Sequence, residues 1–353
     1  MMKFFGIDTD PIFGLDMSSS ALKLMMLQKN GSDISVERYF IQQLLPNKIR
    51  DKRILDTDYI TETLKHTLAC ANISTKNVCL AVPNSITITK KLDLPIDLTD
   101  KEIENEIYIE ADKYIPYALD EINIDYQILS RDEEEGKIEV FIIACKSDDL
   151  NARIEIAENA GLNPVIVDVD SYATGRAFNE VLVHGGMDSS NSLTGLIDIG
   201  SNLITLNIFK GKRLIYTKEQ AFGGIKLMEE IQSRYGLTFE EALAAKKFND
   251  LPDDYAVEVL QPYKVSLTQQ INRACQFFFS NGKYHTIDKL YLTGGVSNIN
   301  GLADIVQETL KIKTLIANPF ANLLVSDQIN IDRLYEDSST LMTTFGLALR
   351  NIN

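Results

Sequence analysis

Gly14-Leu15-Asp16-Met17-Ser18-Ser19-Ser20 and Leu196-Ile197-Asp198-Ile199-Gly200-Ser201-Asn202 are the two stretches on which the fold is decided. Laid on each other, both end an apolar strand with an aspartate and then turn through small residues. Backbone N–H groups in such a turn can approach a phosphate with no side chain in the way. Either stretch alone reads as an ordinary hairpin turn. One in each half of the chain suggests an internal duplication, with two turns gripping one polyphosphate. Asp16 and Asp198 would then face a divalent cation through its waters, because Mg2+ keeps much of its hydration shell beside phosphates. Lys23 is a further counter-charge.

Outward from the first stretch, apolar residues from Ile12 to Phe40 alternate or run in short blocks broken by Asn30-Gly31, which predicts strands joined by a tight hairpin. A helix over 56–70 and a strand over 78–82, stopped by Pro83-Asn84, follow. Residues 85–145 change character. They hold a helix opened by the capping box Thr99-x-x-Glu102, with Ile103, Ile107, Ala111 and Tyr114 on its apolar side, and then two strands across the solvated turn Glu133-Glu134-Glu135-Gly136. Helix 148–160, strand 164–169 and helix 171–182 lead to the glycine- and serine-rich boundary His184–Ser192.

Beyond that boundary the opening pattern returns, as strands 194–199, 203–209 and 213–218, the last two joined by Lys210-Gly211-Lys212. Helices follow over 225–235, after the capping box Thr238-x-x-Glu241, and over 253–279, where Leu260, Tyr263, Leu267, Ile271, Ala274 and Phe278 form one buried face. A strand 289–293, a Gly294-Gly295 turn, a helix from Leu302 and a final helix over 340–351 complete the reading. The expected division is 1–84 with 146–190 as a first domain, 85–145 as a small α+β insertion, and 191–353 as a second domain with a helical part at about 223–285.

Composition narrows the function classes. A net charge of −15 and a pI near 4.7 give a field that repels nucleic-acid phosphates and argues against a polybasic membrane attachment. The four cysteines (Cys70, Cys79, Cys145, Cys275) lie far apart without a Cys-x-x-Cys pair, which fits a reducing cytoplasm. His66, His184 and His285 have no zinc-ligand spacing. The longest apolar run, Val140–Cys145, is far short of the roughly 20 residues that cross a bilayer, and Met1–Phe5 is too short for an export signal. No direct membrane insertion is expected.

Two glycine pairs extend the candidate site. In Tyr291-Leu292-Thr293-Gly294-Gly295-Val296-Ser297 a strand, a glycine pair and a helix let a base and ribose pack on backbone. Gly223-Gly224, before a helix, would present free N–H groups to a nucleotide, and Lys246 joins the same candidate set.

The order of phosphate turn, connecting helix, second phosphate turn, adenosine turn and terminal helix resembles the actin, sugar kinase and heat-shock chaperone superfamily. Within it the chain is similar, over nearly its whole length, to the PilM family, actin-like cytoplasmic proteins of type IV pilus assembly. The likeness rests on Tyr114-Ile115-Pro116-Tyr117 with Glu121–Gln127, Phe222-Gly223-Gly224, Leu251-Pro252-Asp253-Asp254-Tyr255, Gln276–Phe279, Ala317-Asn318-Pro319-Phe320 and Phe345–Arg350. It implies an α/β, actin-like (ribonuclease H-like) two-domain fold whose 85–145 insertion resembles the relocated subdomain shared with the cell-division protein FtsA. It also implies ATP with Mg2+ in the cleft, and docking of the N-terminal cytoplasmic segment of PilN in a groove holding Tyr114, Ile115, Pro116, Tyr117 and Tyr126. Pilus motor ATPases and a platform protein are further partners by analogy, and self-association is left open. Location is expected to be cytoplasmic, at the inner membrane through a partner.

Hydrolysis in this superfamily needs a polar residue to orient water near the strand and helix joining the domains. No glutamine stands in Val165–Ala173, and Asp168 or Asp170 are the candidates there, each as readily a solvated or helix-capping acid. Binding with slow or absent turnover is the expectation. The rival classes are a small-molecule kinase of the same fold, for which no sugar pocket is marked, and an FtsA-like filament former, for which no amphipathic tail follows the last helix.

Overall fold

The computed structural model describes residues 11–31, 33–50, 52–184, 191–280, 282 and 284–352; residues 185–190 of the expected boundary and the N-terminal ten lie outside them. The first lobe begins with β1 (Phe13–Met17), β2 (Ala21–Asn30) and β3 (Asp33–Gln43), then a short pair β4 (Ile49–Arg50) and β5 (Arg53–Ile54), helix α1 (Thr57–Ala71) and β6 (Asn77–Val82). Asp56 caps α1 by accepting from the Tyr59 N–H, and Asn72 ends it in the left-handed region.

The insertion is β7 (Thr87–Pro95), α2 (Asp100–Tyr114), β8 (Ile122–Asp132) and β9 (Lys137–Lys146). It therefore holds three strands, not the two read from the sequence. β7 pairs with β9, and its Thr-Ile-Thr-Lys-Lys-Leu run buries so little that no apolar alternation announces it. Leu94, Ile103, Ile107, Ile138, Val140 and Ile142 form this unit's own core. The chain returns through α3 (Ser147–Asn159), β10 (Asn163–Val169) and α4 (Asp170–His184).

The second lobe repeats the plan with β11 (Leu193–Ile199), β12 (Leu203–Lys210) and β13 (Arg213–Ala221), helices α5 (Gly224–Tyr235), α6 (Phe239–Phe248) and α7 (Gln261–Ser280), then β14 (Lys289–Thr293), α8 (Leu302–Leu310) and β15 (Lys313–Ile316). Strand order is β3-β2-β1-β6-β10 in the first sheet and β13-β12-β11-β14-β15 in the second, with the same sequence of antiparallel and parallel pairings. Duplication is thus visible as topology. The long helix expected over 253–279 opens as a π-helical turn at Ala256–Leu260 before α7. Pro262 in the first turn of α7 lacks the N–H that a regular ladder through this point would need.

The last elements cross back. β16 (Leu324–Val325) extends the first sheet by pairing with β3, and after α9 (Ile331–Asp337) helix α10 (Met342–Ala348) lies on β1 and α4. A Cβ on Gly346 would come within 1.8 Å of the Ala173 carbonyl oxygen, and one on Gly14 within 2.5 Å of the Thr344 carbonyl oxygen, so these helices and strand meet backbone to backbone. The final helix expected over 340–351 is α10 flanked by 3-10 turns at Ser338–Thr340 and Leu349–Asn351. Among the described residues no helix is long and apolar enough to cross a membrane.

Candidate functional site

The β1–β2 and β11–β12 turns are alike down to single hydrogen bonds. In the first, Ser18 donates its N–H to the Ala21 carbonyl at 3.0 Å; in the second, Gly200 donates to that of Leu203 at 2.9 Å. Asp16 is registered opposite Lys23, and Asp198 opposite Thr205. Each closing bond leaves the following N–H groups, those of Ser19 and Ser20 and of Ser201 and Asn202, without a partner among the described residues. Unpartnered N–H groups in a turn of small residues make an anion-accepting concavity.

Charged groups from both lobes converge beside these turns. Lys23 donates to Asp16 Oδ2 at 3.1 Å. Asp198, at the end of β11, sits where burial pushes its carboxyl pKa up; Lys23 and Lys52 pull it back down, and Asp16 and Asp170 push it further up. Lys52, in the β4–β5 turn, donates to Asp170 Oδ2 at 2.8 Å and to Glu219 Oε1 at 2.5 Å. Burial alone would lower the Lys52 pKa, but the two carboxylates more than reverse it and hold the ammonium charged. Four carboxylates, Asp16, Asp170, Asp198 and Glu219, thus stand against the ammonium groups of Lys23 and Lys52 and the buried guanidinium of Arg153, a surplus of negative charge that a free polyphosphate would meet as repulsion.

The glycine pairs close the floor. Gly294, at φ of 89°, lies against Asp198: a Cβ there would come within 2.5 Å of Asp198 Oδ1 and 2.4 Å of the Ile199 carbonyl oxygen. Its neighbour Gly295 is far less crowded. A Cβ on Gly223 would meet the Ser201 carbonyl oxygen at 2.4 Å, and one on Gly224 the Val296 side chain at 2.9 Å. Of the N–H groups expected to be free at this helix start, that of Gly224 is in use. Gly224 donates to the Gly200 carbonyl and Ile225 to that of Ser201, so this helix start braces the second turn. Ser297 is buried, with its hydroxyl donating to the Gly294 carbonyl at 2.7 Å; it shapes the turn from behind. Lys246, in the last turn of α6, is exposed and forms no ion pair among the described residues.

The two aspartates considered for catalysis separate. Asp170 belongs to the cluster, through Lys52 and through the Asn84 N–H donated to its Oδ1 at 2.9 Å. Asp168 faces elsewhere, accepting from Arg176 at 2.9 Å with Arg350 at 3.7 Å, where it anchors the α4–α10 contact. Lys52 and Glu219 were missed in the sequence. Neither stands in a glycine turn or at the end of an aspartate strand, and only the docking of the lobes brings them together.

On the insertion, Tyr114 and Ile115 line a 240 Å³ cavity with Ile88, Leu92, Ala111 and Ile142. Lys90 Nζ lies 3.7 Å from the Tyr114 ring centroid and Lys146 Nζ 4.1 Å from that of Tyr117. Pro116 follows Ile115, the C-cap of α2, while Tyr126 packs against the insertion's own core.

A duplicated five-stranded plan in two lobes, with paired turns, charged groups from both lobes meeting beside them and a subdomain inserted into the first lobe, is the architecture of actin-like proteins. Solved structures agree on the fold. A "PilM-PilN type IV pilus biogenesis complex" matches over 98% of this chain and 99% of that chain, with a TM-score of 0.80 at 23% identity. The ethanolamine utilization protein EutJ from Carboxydothermus hydrogenoformans matches over 96% and 88%, with a TM-score of 0.56 at 13% identity. The chain belongs to the type IV pilus assembly protein PilM family, whose model matches residues 14–352.

Proposed function

We propose that this chain is an ATP-binding platform of type IV pilus assembly that carries its nucleotide as the Mg2+ complex and docks a PilN-type N-terminal segment on its inserted subdomain. The observation that carries the nucleotide reading is the pair of matched turns with Asp16 and Asp198 beneath them. The surplus of carboxylates favours the magnesium complex over free nucleotide. Among the described residues no cluster of three or more metal-ligating side chains would hold a metal by itself, so the ion would be held chiefly by phosphates and water, with Asp16 and Asp198 outside that shell. Gly294 and Gly295 would take the base side, with Lys246 as an approaching cation.

The partner reading is supported by the family, by the PilM–PilN complex named for the similar structure, and by the cavity beside Tyr114. Such a segment would keep the chain on the cytoplasmic face of the inner membrane. Motor ATPases and a platform protein are further partners in this reading. With Asp168 tied to Arg176, Asp170 is the remaining one of the two candidate acids and is itself held by Lys52; turnover is accordingly slow or absent.

Calorimetric titration with a synthetic PilN-type N-terminal peptide, with and without Mg-ATP, tests both halves. Binding that is lost in Tyr114→Ala supports the platform. No binding under either condition removes the partner reading, and no heat with Mg-ATP alone removes the nucleotide reading.

A further inference from the structure

Lys52 ties the two lobes together across the cleft. It stands in the β4–β5 turn at φ of 63°, and its ammonium donates to Asp170 in the first lobe and to Glu219 on β13 in the second. The turn is anchored from behind by buried Arg153, which donates to the Lys52 carbonyl. Lys23, the other ammonium acting on Asp198, is committed to Asp16 within its own hairpin. Lys52 differs in that one of its partners belongs to the opposite lobe.

We infer that Lys52 is a specificity-determining residue of the cleft, whose ammonium exchanges Glu219 for the terminal phosphate of a nucleoside triphosphate, so that tri- and diphosphate are distinguished and the interlobe tie opens with the former. The inference rests on the nucleotide reading above. An ammonium has three donors and two are in use, so a phosphate can be engaged before Glu219 is released. A terminal phosphate carries about two charges against the carboxylate's one, and the share that Mg2+ leaves unneutralised competes with Glu219 for the ammonium. Asp170 holds Lys52 on the first lobe during the exchange. Arg153 keeps the turn in place, so the ammonium moves while its backbone does not. A diphosphate lacks the group that would compete with Glu219.

Calorimetry of the full chain with Mg-ATP and with Mg-ADP, on the wild type, Lys52→Met and Glu219→Gln, tests this. Lys52→Met is expected to weaken ATP about tenfold and ADP less than about threefold. Glu219→Gln removes the competing charge, and is expected to tighten ATP several-fold and leave ADP unchanged. Equal losses for both nucleotides in Lys52→Met, or no loss for either, overturn the inference. A wild type that binds neither nucleotide overturns the nucleotide reading itself, which equal losses would not. If Lys52→Met does not fold, an unchanged ATP-to-ADP ratio in Glu219→Gln is enough to sink it. Amide exchange gives a second readout: ATP, but not ADP, should speed exchange along β13 in the wild type.

Discussion

Asp198 is a half-buried carboxylate that folding sets against Gly294, and its acidity is weakened there by burial first, with Lys23 and Lys52 offsetting part of the effect. A carboxyl whose folded pKa lies above its unfolded one stabilises nothing when ionised: the penalty is absent below the unfolded pKa and grows as pH rises toward the folded one. Asp198→Asn should therefore raise the Tm of the ligand-free protein at neutral pH by a few degrees, because about 1 kcal/mol moves Tm by ~2 °C in a chain of this size. The gain should fade on acidification below about pH 4. Mg-nucleotide affinity should fall in the same variant, the familiar opposition of site and stability. A lower Tm at neutral pH would mean that Asp198 is already satisfied in the ligand-free fold. Asp198 was legible because it ends a strand before a glycine turn. Lys52 and Glu219, equally part of the cluster, were not, since a lysine in a charged loop and a glutamate on a strand are what solvated surfaces also carry.

The helix α2 shows local rules sufficing for an element. Thr99 accepts from the Glu102 N–H while the Glu102 carboxylate accepts from the Thr99 N–H at 2.9 Å, and the bond from that N–H holds the Glu102 pKa below the usual glutamate range. A lowered carboxyl pKa contributes stability above the unfolded value that is lost as pH falls through the folded one. Thr99→Ala should cost about 1 kcal/mol, speed amide exchange in the first turns of α2, and weaken the peptide that Tyr114 is proposed to help hold. Unchanged exchange would show that packing on Ile103 and Ile107 alone holds the helix. The same reciprocal cap opens α6 at Thr238 and Glu241, and both were readable as four-residue patterns. The two-residue strand β16 was not readable, for it exists only because β3 offers Ser35 and Val36 as partners. β15, four residues long, is likewise a strand by virtue of β14 beside it.

Across the molecule, α10 is the element that binds the end of the chain to the first lobe. Arg176 donates to the Gly346 carbonyl at 2.7 Å and to Asp168 Oδ2 at 2.9 Å, joining α4, α10 and the end of β10 in one polar contact. Arg176→Ala leaves Asp168 with the Val169 N–H and the more distant Arg350, and frees a carbonyl at a tight helix crossing, so chemical denaturation should register a loss of about 2 kcal/mol. A loss within about 0.5 kcal/mol would mean that solvent already screens the contact. The duplicated aspartate turns, the capped helices and the glycines at the crowded turns were determined by the sequence alone, because each depends on neighbours a few residues away and on backbone sterics. Which carboxylate meets which cation was decided only by the tertiary structure. Lys52 and Glu219 are 167 residues apart, and Asp168 and Asp170 are nearly adjacent yet serve different contacts. Charge pairing of that kind follows from how two lobes dock, and no local pattern encodes it.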